Sequence, residues 1–460
     1  MAMLRQMHSH TLDQHPRGED MRQVILAALR AVDPAAAVAR ALELEGGLLT
    51  AGGRSYDLDL YRRVRLVAAG KAGLGMARAA ARVLKERLND GVVIVKKGFL
   101  ASDPEQNTLP DRLRVFQAGH PVPDERGVAA TQEVVALLEA SDAEDLVICL
   151  LSGGGSAVLT APAAGISLGD MQAMTAELLA CGANINEINT LRKHLDPIKG
   201  GGLARAAAPA HVLTLILSDV VGDPLDVIAS GPTVPDATTF EDAMAIVERY
   251  ELAGKIPESI LARLQAGLRG EIAETPKPGE AFFERVHTLV VGSNRQAALA
   301  ALREAQARGM QTLLLTTYLQ GEARQSGRML AAIARQIDAS GQPLERPACL
   351  VVGGETTVTV RGKGLGGRNL EAGLGAVREM DGLADMILVT LATDGDDGPT
   401  GAAGAVVSGE TLARATALGL QPEEFLMTND SYHFFEPLGD LLISGPTHTN
   451  VNDLTFLFAL

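Results

Sequence analysis

Short uninterrupted apolar runs alternate along the chain with longer stretches whose apolar residues recur at helical spacing. RLVAAG (65–70), GVVIVKK (91–97), LRVFQAG (113–119), DLVICLLSGG (145–154) and VLTLILSDV (212–220) show no in–out alternation. Such runs predict strands buried on both faces, as in a parallel sheet covered by helices. Ala-rich amphipathic stretches at 72–88 and 127–140 predict helices between them, and 21–44 reads as a leading helix. After a charged helical region comes the Pro/Gly segment ETPKPGE (274–280), the predicted boundary. A second series of strands follows at 287–293, 310–317, 349–358, 386–393 and 440–445, with helical patterns at 295–308 and 323–338. The pattern predicts an α/β protein with a polar tail over 1–20, an N-terminal domain over 21–280 and a C-terminal α/β domain over 286–460.

Glycine sharpens this picture. The chain has 49 glycines but ten Phe, five Tyr and no Trp. Many of the glycines follow predicted strand ends, in AAGKAGLG, LLSGGGS, LSDVVGD, VVGGETT and TLATDGDDG. In open α/β sheets ligands bind outside the carboxyl ends of the strands, where glycine lets backbone approach a ligand closely.

Charge and cysteine narrow the class. A net charge of −15 argues against a nucleic-acid or anionic-membrane partner. Cys149, Cys181 and Cys349 have no metal or redox spacing, and the bland expectation is buried, reduced thiols. The first 20 residues lack the apolar core of a signal peptide, and their histidines His8, His10 and His15 read as part of a tail. The apolar runs are too short to span a bilayer, so a cytoplasmic location is expected.

Against this acidic background, several loops reverse sign. VAAGKAGLG (67–75) puts Lys71 between a strand and a helix start, an arrangement suited to an anion. It is neither a Walker A loop nor GxGxxG, and the next strand runs out into Lys96 and Lys97 instead of a ribose-binding acid. LLSGGGSAVL places Gly153, Gly154 and Gly155 between Ser152 and Ser156, a loop able to offer N–H groups to phosphate or carboxylate. Val158 occupies the position where a nucleophile elbow requires glycine, which argues against a Ser156 acyl-enzyme. NTLRKHLDPIKGGGLAR (189–205) carries Arg192, Lys193, Lys199 and Arg205 against one acid, Asp196. VRGKGLGGRNLE (360–371) carries Arg361, Lys363 and Arg368 among glycines, a setting suited to clamping an oxyanion. Carboxylates stand apart from these bases: Asp219 and Asp223 in SDVVGDP, and Asp394, Asp396 and Asp397 in TLATDGDDG. Each could hold Mg²⁺ beside substrate phosphates, act as a base, or close a turn. Glu355 in GGETT and the tail GPTHTNVND (445–453) add polar groups without decisive chemistry. Bases in loops, backbone donors and separate carboxylates are the parts that phosphoryl transfer requires.

In order along the chain from about residue 20, AAGKAG, LLSGGGSA, INTLRKHLDPIKGGGLA, LSDVVGDPLDVIASGPTVPD, GGETTV, GLGGRNLE, ATDGDDGPT and PTHTNVND resemble the glycerate 2-kinases of the MOFRL type. Members of that family also carry the label hydroxypyruvate reductase. The resemblance implies a Rossmann-like N-terminal domain, a smaller C-terminal domain and a site in the cleft between them. It implies ATP-dependent phosphorylation of D-glycerate at the 2-hydroxyl, with Mg²⁺. On that reading Lys71 and Arg368 are the catalytic cations; the base is not fixed by the resemblance, and Asp219, taken as catalytic, stands beside Asp223 and Asp394 as candidates. Ser152 to Ser156, Arg192, Lys199, Asn369 and Glu355 bind substrate or phosphate, and Asp223 and Asp394 are the metal candidates. Lys71→Ala or Arg368→Ala should then cut turnover by orders of magnitude and leave the protein folded. His448 departs from the small residue expected in the tail motif. Small-molecule partners are expected, with a homodimer as the candidate assembly. An NAD(P)H-dependent hydroxypyruvate reductase is the alternative.

Overall fold

Two compact units divide the chain in the computed structural model: residues 34–291 form one, and residues 1–33 with 292–460 form the other. Residues 7–98 and 109–460 are described. The N-terminal segment corrects the expectation of a tail. A short helix α1 (His10–Gln14) is capped by Ser9, whose side chain accepts from the Leu12 N–H, and α2 (Gly18–Ala31) follows. Met7 and Leu12 are buried, apolar anchors within a segment that is polar on average. Thr11 donates its N–H and its hydroxyl to the buried Asp440, at 2.8 and 2.9 Å. The apolar stripe of α2 lies on the helix over Asn294–Ala307, and Asp20 pairs with Arg308 at 2.6 Å. The leading helix therefore belongs with the C-terminal unit, and the chain enters the other unit only at residue 34.

In the unit over 34–291, the apolar runs become β1 (Arg63–Ala69), β2 (Leu88–Lys96), β3 (Leu113–Ala118), β4 (Asp145–Ser152), β5 (His211–Leu217) and β6 (Val286–Gly292). The sheet order is β3-β2-β1-β4-β5-β6, and the pairings from β3 through β5 are parallel. This is the 3-2-1-4-5-6 order of dinucleotide-type folds. Every residue of β4 is buried, and Val67, Val92, Val147 and Val212 of neighbouring strands share one core. Two helices matter for the site: α3 (Gly73–Leu84), directly after β1, and α4 (Ile185–Leu195), started by a reciprocal Asn184/Glu187 capping box.

The sheet of the other unit is mixed. Its strands are β7 (Gln311–Leu319), β8 (Ala348–Gly354), β9 (Met386–Ala392), β10 (Gly404–Ser408), β11 (Leu441–Leu442) and β12 (Asp453–Ala459). The order is β7-β8-β12-β9-β10-β11, so the last strand enters the middle, antiparallel to β8 and β9. Helix α5 (Arg368–Met380) packs on β9 and β10. Cys149 and Cys349 are buried and free, as expected, and burial pushes the Cys149 thiol up to about 12. No helix among the described residues is long and apolar enough to cross a membrane.

Candidate active site

The strand order of the 34–291 unit reverses between β1 and β4, and the crevice such a switch opens is where α/β folds bind ligands. The loops leaving those two strands are interlocked. The Lys71 N–H donates to the Gly153 carbonyl at 2.9 Å, and the Ala72 N–H donates to Ser152 Oγ at 3.0 Å. Gly70 makes this possible: its φ is +115°, and a Cβ there would sit 2.5 Å from both the carbonyl oxygen and Oγ of Ser152. A Cβ on Gly153 would collide with the Asp219 carboxylate. Gly154 has φ +79°, and a Cβ on it would lie 2.8 Å from the His120 ring and 3.5 Å from Lys71 Cγ. Lys71, the glycine loop and Asp219 therefore form one cluster. The N–H groups of Gly154, Gly155 and Ser156 have no acceptor among the described residues.

A third segment supports the loop. Ala229, Ser230 and Gly231 all have left-handed backbone, with φ of 51°, 61° and 61°. Two of the three are not glycine, which marks stored strain of about 1–3 kcal/mol each. What holds them is side-chain contact. The Ser230 and Ser156 hydroxyls are 2.8 Å apart, and Ser230 donates to Asn189 Oδ1 on α4 at 3.1 Å. A Cβ on Gly155 would stand 3.0 Å from that of Ala229.

Several expected ligand contacts have structural roles here. The Ser152 hydroxyl is buried and used on Ala72. Lys199 is buried behind the loop, where it donates to the Ser156 and Leu159 carbonyls at 3.0 and 2.7 Å and pairs with Asp196 at 3.0 Å. Burial pulls the Lys199 ammonium below its ordinary pKa and pushes Asp196 above its own. Lys199 therefore anchors the loop from inside. Lys193 is likewise spent on Asp236 at 3.2 Å. Arg192 remains a binding candidate: it is only partly buried, and its guanidinium has no hydrogen-bond partner among the described residues.

The remaining candidates gather in the other unit. Arg368 opens α5 and is bound by Asp453 through two hydrogen bonds, Nε to Oδ2 at 2.5 Å and Nη2 to Oδ1 at 3.0 Å. Its Nη1 is 3.2 Å from Glu355. Asp397 accepts from the Asn369 N–H at 3.0 Å and the Leu370 N–H at 2.7 Å, so a side chain from a neighbouring loop satisfies the first turn of α5. Asn369 Nδ2 bridges Asp397 and Asp453, at 3.2 and 3.0 Å. Burial raises the Asp397 pKa to about 6 and raises that of Asp453, the latter opposed by Arg368. Asp394 stands close enough to Asp453 to raise it further. Arg368 is thus a cation already neutralised by acids, with its side chain 32% exposed. Arg361 and Lys363 are exposed. No cluster of three His, Cys, Asp or Glu among the described residues could hold a metal on its own.

His120, Asn189, Ser230 and Asp453 were not among the candidate residues. The last three lie inside motifs the sequence displayed, whereas His120 had no signal beyond its place after a strand.

Both halves of the chain match known families. Residues 20–265 match a family model described as a domain of unknown function (DUF4147), and residues 348–453 match the MOFRL family. The glycerate 2-kinase of Pyrococcus horikoshii is 41% identical over 95% of this chain and 96% of its own. A protein of Agrobacterium vitis that carries a hydroxypyruvate reductase name is 41% identical over 85% of this chain and 86% of its own. The solved structure of the Thermotoga maritima glycerate kinase superposes with a TM-score of 0.84 at 39% identity, covering 95% of this chain and 98% of that one. With family models over both halves and full-length relatives at this identity, the chain belongs to the MOFRL-type glycerate kinase family.

Proposed function

We propose that the protein transfers the terminal phosphoryl group of ATP to the 2-hydroxyl of D-glycerate, giving 2-phosphoglycerate and ADP. The observation that carries this reading is the Lys71–Gly153–Asp219 cluster at the strand-order reversal. It joins a cation, backbone N–H groups with no acceptor among the described residues, and a carboxylate at one point. Charge spreads over the oxygens of a transferring phosphoryl group, and fixed donors and cations stabilise it there. Lys71 and the loop N–H groups supply that stabilisation. Asp219 accepts the hydroxyl proton as the new O–P bond forms. The old P–O bond breaks, and its electron pair leaves with ADP. Arg192 is the cation for the glycerate carboxylate. Arg368, Asn369 and Glu355 form a second polar cluster whose net charge suits a polar or metal-bearing ligand better than a bare anion.

A magnesium ion fits these residues. Mg²⁺ normally takes one or two carboxylates and completes its shell with phosphate oxygens and water, so no protein cage is needed. Asp223 in the 34–291 unit and Asp394 in the other unit are separate candidate ligands; an ion held at either would neutralise charge on the phosphates. The reductase reading lacks support in the loop after β1, which has no GxGxxG and no acid at the end of β2. The test is D-glycerate-dependent ADP formation by the full chain. Turnover in the wild type and its loss in Lys71→Ala are expected. Glycerate-independent NADH oxidation with hydroxypyruvate in its place would contradict the proposal.

A further inference from the structure

The phosphoryl-transfer reading leaves the imidazole of His120 unused. His120 follows β3, at the carboxyl end of a strand in the same parallel sheet as β1, which ends two residues before Lys71, and β4, which ends at Ser152. A methyl group at Gly154 would lie 2.8 Å from His120 Nε2 and equally 2.8 Å from Cδ2. The Nε2 edge of the ring therefore faces the loop, at the same point as the Lys71 side chain. The other ring nitrogen, Nδ1, is buried with no hydrogen-bond partner among the described residues.

A neutral imidazole has one proton to place. Orphaned buried N–H groups are rarer than under-used acceptor lone pairs, which puts that proton on Nε2, toward the loop. Charge state is set by the surroundings. Burial, together with the positive charges of Lys71 on the β1–α3 turn and Lys96 at the end of β2, pushes the pKa down to about 4. The ring is neutral at neutral pH and still a donor.

We propose that His120 is a further catalytic residue of this loop, a neutral imidazole that donates its Nε2–H to an anionic oxygen of the bound phosphate chain beside Lys71. The proposal rests on the phosphoryl-transfer reading above and names a contact that reading lacks. A neutral donor adds no charge to a site already holding Lys71. Its hydrogen bond strengthens as charge develops on the transferring group, and losing one such donor costs about 10²–10³ in kcat.

The test uses the full chain and three substitutions. His120→Gln carries an amide N–H near the position of Nε2, His120→Asn carries one near Nδ1, and His120→Ala carries neither. Tripolyphosphate binding is followed by calorimetry, and glycerate-dependent ADP formation is measured in parallel. The wild type and His120→Gln should bind tripolyphosphate within about threefold of each other, and His120→Asn and His120→Ala at least tenfold more weakly. kcat should fall about 10²–10³-fold in the last two, with tenfold or more recovered by His120→Gln. Equal loss in His120→Gln and His120→Ala, wild-type behaviour of His120→Ala, or no tripolyphosphate binding by the wild type would overturn the contact. Long-range ¹H–¹⁵N spectra of the wild-type imidazoles keep the proposal testable if the variants misfold. An Nε2–H tautomer that shifts on adding tripolyphosphate supports it, and an Nδ1–H tautomer or no shift overturns it. His120-dependent tripolyphosphate binding without glycerate-dependent turnover would sink the kinase reading and leave this contact supported.

Discussion

Gly153 and Asp219 show how narrow the site is. The carboxylate occupies the space that any Cβ at 153 would fill, so Gly153→Ala must displace Asp219. A hundredfold or greater loss of kcat with little change in melting temperature is the expected result, because a misplacement of about 1 Å near the chemistry costs on that order. Steady-state kinetics with circular-dichroism melting would check it. Arg368 behaves differently from Lys71. Lys71 is half-buried on a loop, and its removal should cost turnover alone. Arg368 neutralises the buried Asp453, so Arg368→Ala strands a carboxylate and should cost about 3–5 kcal/mol as well as activity. On this geometry Arg368→Ala should lower stability where Lys71→Ala does not. Adding Asp453→Asn to Arg368→Ala should restore much of the stability but not the turnover. His120 makes a pH prediction. Its folded pKa is about 4 against an ordinary 6.5, so the unfolded chain takes up a proton that the folded chain refuses. Stability is lost on that account as pH falls from about 6.5 to about 4. A folded His120→Gln variant should show a shallower decline over that window in melts at several pH values; an identical slope would contradict the assignment.

At the scale of elements, the loops depend on partners distant in sequence. Lys199 is the clearest case: its ammonium ties the Ser156 and Leu159 carbonyls to Asp196 inside the protein. Lys199→Met should destabilise the unit over 34–291 by about 3–5 kcal/mol, through the unpaired Asp196, and denaturant melts would show it. Much of this unit was legible in the sequence. Five strands stood out because burial on both faces removes polar alternation, and glycines marked their carboxyl ends. The pairing of Lys71 with the SGGGS loop follows once those strands are parallel neighbours. The role of Lys199 was not legible. A basic residue in a glycine-rich segment looks the same whether it meets a ligand or its own backbone, and only burial separates the two. His120 was missed because a lone histidine before Pro121 reads as a solvated turn. Asp453 was missed because its partners follow from the insertion of β12 between β8 and β9, a long-range pairing that no local pattern encodes.

For the whole molecule, the main departure from expectation is the route of the chain. Residues 7–33 build onto the C-terminal unit, and Thr11 supplies two donors to the buried Asp440, which also binds Arg414 at 2.6 Å. Average polarity concealed this, since Met7 and Leu12 carry the burial in a segment otherwise rich in charged and polar residues. The family assignment accounts for both halves, and the strand-order reversal in the 34–291 unit explains where its basic, glycine-rich loops meet. The central claim concerns the position phosphorylated. D-Glycerate, ATP and Mg²⁺ should be incubated with the full chain, and the product passed to enolase without added mutase, since enolase accepts only the 2-phosphate isomer. The account predicts immediate phosphoenolpyruvate formation. Glycerate-dependent ADP release without phosphoenolpyruvate, appearing only when mutase is added, would show phosphorylation at the 3-hydroxyl and contradict it.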